Sequence, residues 1–92
     1  LPARRRDYRF PIALPAMLNS ADTRLCTGVV DQVSATGLRY FGVLPRRLAP
    51  GEFITGQILL PTGPHPFLAE VQRVHPATHA APVPGIGASF IW

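Results

Sequence analysis

Two short stretches hold the residue types and spacings that could do chemistry: Arg4-Arg5-Arg6-Asp7-Tyr8-Arg9, and Asp31-Gln32-Val33-Ser34-Ala35-Thr36-Gly37. Four of the nine basic residues fall in the first hexapeptide, and the chain has no lysine. A guanidinium is planar, permanently charged and donates in a fork that fits phosphate oxygens or a guanine edge. Phe10-Pro11 and an apolar segment follow at once, so the arginines read as a flexible arm anchored at one end. That arrangement suits an arm that folds over an anionic ligand held against a domain, although a solvated basic tail has the same composition.

Catalytic chemistry finds little to stand on. His65, His75 and His79 lie in or beside proline-rich loops, and Pro76 breaks the helix that would place His75 and His79 on one face. Cys26 is the single cysteine and the five acids are scattered, which provides no metal-ligand set. Ser34 has no partner suggesting a nucleophile, Glu52 and Glu70 read as surface charges, and no phosphate-cradling glycine loop is present. The expectation is a chain that is not an enzyme, with no catalytic residue, no metal and no cofactor.

The elements that must position these residues are short strands. Ninety-two residues make one domain with a modest core, and 47% hydrophobic against 15% charged residues argues for a folded chain. Eleven prolines and eight glycines cut it into short pieces. Ile12–Leu18 places Ile12, Leu14, Ala16 and Leu18 on one face, with Pro15 marking an edge or bulge. The turn cluster Asn19-Ser20-Ala21-Asp22 returns the chain antiparallel into Arg24–Val33, where Leu25, Thr27 and Val29 face away from Cys26, Gly28 and Val30. Ser34–Gly37 leads tightly into Leu38–Phe41. Phe53–Leu60, Phe67–Val74 and Gly85–Trp92 complete the set, with Arg73 sharing a face with Ala69 and Val71. Phe41, Phe53 and Phe67 read as core residues rather than an exposed stacking surface, which speaks against a nucleic-acid polymer as partner. Six or seven such strands imply an all-β fold, a closed antiparallel barrel or sandwich without helices. No apolar run approaches a membrane span, and a lone cysteine fits a reducing, cytoplasmic setting. The absent initial methionine points to a segment of a longer protein, with a neighbouring domain as an expected partner.

Arg5-x-x-x-Arg9 before the first strand, with Ser34-x-x-Gly37 closing the second, resembles the PilZ domain, the bacterial receptor module for cyclic di-GMP. The family signature is an RxxxR followed by an acid or amide, one residue, a serine, two residues and a glycine. The likeness continues through Leu48-Ala49-Pro50-Gly51-Glu52, Ala69–Val74 and Gly85–Phe90. It implies a small antiparallel six-stranded β-barrel of the split-barrel type over residues 11–92, with residues 1–10 as a flexible basic ligand-binding arm. It implies cyclic di-GMP as ligand, bound by Arg4, Arg5, Arg9, the acid or amide position, Ser34 and Gly37. Binding would order the arm and change how the domain meets a neighbouring domain, a protein partner or a second copy.

One position departs from the pattern. Counting back from Ser34, the acid or amide position is Gln32, and Asp31 stands one residue earlier. In the family this residue accepts hydrogen bonds from a guanine edge. A glutamine carbonyl accepts too, but without charge, a loss of about 1–2 kcal/mol. Adjacent strand residues point to opposite faces, so Asp31 reaches the same side only through a bulge near Gln32. Both residues stay in the expected site. The alternative is a PilZ-like domain that has lost the ligand and acts as a protein-interaction module.

Overall fold

The computed structural model describes residues 10–21 and 26–91. The arm Arg4–Arg9 and Trp92 lie outside the described residues. Six strands follow in chain order: β1 (Phe10–Leu18), β2 (Cys26–Val33), β3 (Gly37–Gly42), β4 (Phe53–Leu60), β5 (Gly63–His75) and β6 (Gly85–Phe90). They close into a barrel in the order β1-β2-β3-β6-β5-β4, every pairing antiparallel. The all-β barrel expected from the spacing of turns is the fold. Among the described residues no helix is long and apolar enough to cross a membrane.

Alternation supplies the core. Ala16 and Leu18 of β1, Cys26 and Val30 of β2, Leu38 and Tyr40 of β3, Ile54 and Ile58 of β4, Ala69 and Val71 of β5, and Ile86 and Ala88 of β6 all point inward. Among the described residues Tyr40 is the largest fully buried side chain. Its hydroxyl donates to the Val43 carbonyl at 2.8 Å, with the Cys26 carbonyl at 3.3 Å. Burial pushes this phenol up to about 12.

Several sequence-based expectations need correction. Strand β5 begins at Gly63, not Phe67, because only Pro61 and Thr62 separate the paired residues Leu60 and Gly63. Pro64 and Pro66 are tolerated there since β6 pairs with β5 only from Ala69 onward, leaving their missing amides facing no ladder. Phe53 is not a core residue: it is 57% exposed on the outer face of β4. Phe41 is half-buried and also faces outward, its ring 5.8 Å from that of His75. Only Phe67 of the three is buried.

Arg73 does not share a face with Ala69 and Val71. The β5–β6 register slips between Val71 and Arg73, and the same happens on β2 between Val30 and Gln32 against β3. Each slip inserts one extra residue, Gln72 or Asp31, so two consecutive polar side chains stand between two inward valines. On β2 these are Asp31 and Gln32 between Val30 and Val33; on β5, Gln72 and Arg73 between Val71 and Val74.

Candidate functional site

The two bulges flank strands β3 and β6, and together they furnish one patch of the outer wall. The registers line up a row across four strands: Gln32 opposite Arg39, Arg39 opposite Gly87, Gly87 opposite Arg73. An open cleft of about 290 Å³ lies over this row. Gln32, Ser34, Gly37, Arg39 and Arg73 line it, and no carboxylate does among the described residues. Its electrostatic character is cationic.

The Ser34–Gly37 turn forms one rim. The Ser34 amide donates to the Gly37 carbonyl at 2.9 Å. The Ser34 hydroxyl accepts from the amides of Thr36 at 3.2 Å and Gly37 at 3.3 Å, holding the turn closed. Thr36 in turn accepts from the Phe90 amide at 2.7 Å, tying the turn to β6. Gly37 is required by this packing, because a Cβ there would lie 2.3 Å from the Ala88 carbonyl oxygen.

Asp31 and Gln32 reach the same outer face, as a bulge allows, yet they do different things. Asp31 takes Arg39 in a two-pronged pair, Nε to Oδ1 at 2.9 Å and Nη2 to Oδ2 at 2.8 Å. This bonding holds the Arg39 guanidinium above its already high range. The same guanidinium lies 5.4 Å from the centre of the Phe41 ring. Asp31 itself lies outside the cleft, whereas Gln32 lines it.

The sequence-derived set is thus partly assembled. Gln32, Ser34 and Gly37 meet in one cleft, Asp31 touches it through Arg39, and Arg4, Arg5 and Arg9 fall outside the described residues. Phe10, bonded to Arg9, pairs with Val33, the residue before Ser34. Sequence reading missed Arg39, Arg73 and Gly87. Arg39 stands two residues after Gly37, on the same outward face, and period two alone would have found it.

A family model for the PilZ domain matches residues 3–91. Among solved structures, the PilZ domain with c-di-GMP of YcgR from Escherichia coli is similar with a TM-score of 0.73 at 16% identity, covering 96% of this chain and 78% of that one. The K. pneumonia MrkH–c-di-GMP complex gives 0.77 at 17% identity, and the match covers all of this chain but only 46% of MrkH. The PilZ domain of CeSA from a cellulose-synthesizing bacterium gives 0.66 at 22% identity, with 92% and 82% covered. No curated protein matches the chain.

Proposed function

The chain belongs to the PilZ domain family, and on that premise we propose that it is a cyclic di-GMP receptor module whose arginine arm closes over the nucleotide against the cleft of β2, β3, β5 and β6. The observation that carries this reading is the composition of the cleft: cationic, free of carboxylates among the described residues, and rimmed by the Ser34–Gly37 turn. Two solved relatives of the same fold are complexes with this ligand.

The ligand needs cations for two phosphates, forked donors for guanine O6 and N7, and flat groups on which bases stack. Arg5 and Arg9 supply donors and stacking planes, and Arg4 a phosphate contact. Gln32 lends its side-chain carbonyl to a guanine edge in place of the family's acid or amide. Ser34 keeps the turn in shape and places its hydroxyl at the rim of the cleft, and Gly37 holds β3 close to β6. Asp31 acts through Arg39, fixing its orientation. Ordering of the arm is then the signal, read by a neighbouring domain or partner.

Isothermal titration calorimetry with cyclic di-GMP, with GTP as control, tests this against an Arg5→Ala/Arg9→Ala double variant. Saturable binding that disappears in the double variant is the expected result. A folded wild-type chain with no binding heat at high micromolar ligand refutes it. That outcome would favour an interaction module, for which Phe53 and Leu68, exposed at neighbouring positions of β4 and β5, and Ile91, whose amide bonds the Leu68 carbonyl, form an apolar surface.

A further inference from the structure

Of the eight glycines, Gly87 alone has no local reason to be glycine. Gly42, Gly51 and Gly63 adopt positive φ. At Gly28, Gly37, Gly56 and Gly85 a Cβ would lie 2.3 Å from a neighbouring atom. At Gly87 the nearest atom to an added Cβ is the Arg73 Cβ at 3.9 Å, ordinary contact distance, and φ is not in the left-handed region. Folding would accept alanine there.

In the neighbouring row this wall covers a glycine of β6 with its own side chains. Phe41, Gly85 and His75 face one another across β3, β6 and β5, and the Phe41 ring covers Gly85 and stacks on His75. One step along, the same three strands present Arg39, Gly87 and Arg73. Here the glycine stays open. Arg39 is held by Asp31 of β2, on the side away from β6, and Arg73 is exposed, with no carboxylate partner among the described residues. Two strand spacings, roughly 10 Å, separate the backbones of the two arginines. The result is a bare floor with one neutralised and one uncompensated guanidinium at its edges.

We infer that Arg73 binds a phosphodiester group of the ligand over the bare Gly87 backbone, making it a further binding residue supplied by β5, outside both sequence motifs. The inference rests on the receptor reading above. The charge logic selects phosphate: the pair Asp31–Arg39 sums to zero, so among the described residues Arg73 is the arginine in the cleft whose charge remains for an anion. Gly87 adds access, because no side chain stands between the ligand and the β6 backbone.

Calorimetry with cyclic di-GMP on the whole chain tests this with Arg73→Gln, Arg73→Lys and Gly87→Val. Arg73→Gln is expected to weaken binding roughly 10- to 100-fold, the effect of losing one charged hydrogen-bonding group. Arg73→Lys keeps the charge and should recover most of that loss, while Gly87→Val fills the floor and should weaken binding at least about tenfold. Circular dichroism and a thermal melt check that each variant folds; an Arg73 substitution at an exposed site leaves the core untouched. Wild-type binding with Arg73→Gln within twofold of it overturns this inference alone. A folded wild type that does not bind overturns the receptor reading and this inference with it.

Discussion

Substituting Asp31 with asparagine separates two roles for this carboxylate, ligand acceptor and anchor of Arg39. The pair is two-pronged, at 2.8 and 2.9 Å, but the side chains are 35% and 38% exposed, so solvent screens much of their attraction. Exposed pairs contribute about 0.2–1 kcal/mol, and the forked geometry places this one at the upper end, near about 1 kcal/mol. A double-mutant cycle of Asp31→Asn and Arg39→Gln in urea unfolding should therefore return a coupling of about 1 kcal/mol. Binding should respond with the opposite sign. Without the carboxylate, Arg39 carries an uncompensated charge in the cleft, and a phosphate about 5 Å away gains about 0.8 kcal/mol at the dielectric constant of water. That corresponds to roughly fourfold tighter binding. Calorimetry with cyclic di-GMP on Asp31→Asn should show affinity unchanged or raised by about that factor. A fall of about tenfold or more in a folded variant would show the carboxylate to be a ligand acceptor, and the assignment of that role to Gln32 would be wrong.

Three further perturbations follow from the geometry. Gly37→Ala places a methyl 2.3 Å from the Ala88 carbonyl oxygen, so β3 and β6 must separate, and urea unfolding should report a loss of about 1–3 kcal/mol. Tyr40→Phe removes a buried donor from the Val43 and Cys26 carbonyls and should cost about 1–2 kcal/mol by the same assay; a change under about 0.3 kcal/mol would mean water replaces the hydroxyl. The Tyr40 phenol is raised to about 12, so its contribution is complete below the ordinary phenol pKa of about 10 and is lost as pH rises through the folded value. In a Tyr8→Phe background, ultraviolet titration should therefore show phenolate only well above pH 10, with ionisation and unfolding coinciding; a normal titration with the fold intact would contradict the burial.

What the sequence made legible is what period two controls. The inward faces of β1, β2 and β6, the tight turn at Ser34–Gly37 and the antiparallel hairpins all follow from alternation and turn chemistry. Phe53 misled because hydrophobicity alone does not specify a face: its neighbour Ile54 is the inward residue. The cleft was illegible where alternation fails. Strict period two assigns Arg73 to the core side with Val71 and separates Asp31 from Gln32. A bulge on each strand moves Arg73 outward and unites Asp31 with Gln32 on one face. Yet the break leaves a trace in the residues themselves. Val30-Asp31-Gln32-Val33 and Val71-Gln72-Arg73-Val74 are both two polar residues between valines, at a spacing of three that a regular half-buried strand cannot accommodate without turning a valine to solvent. The cheapest resolution is one extra residue in each strand, which keeps all four valines against the core and pushes both polar pairs outward. Those two insertions sit on opposite sides of β3 and β6, and the cationic cleft lies between them. The same irregularity that spoils the sequence reading of the strands is therefore what concentrates polar side chains on this patch of the barrel wall.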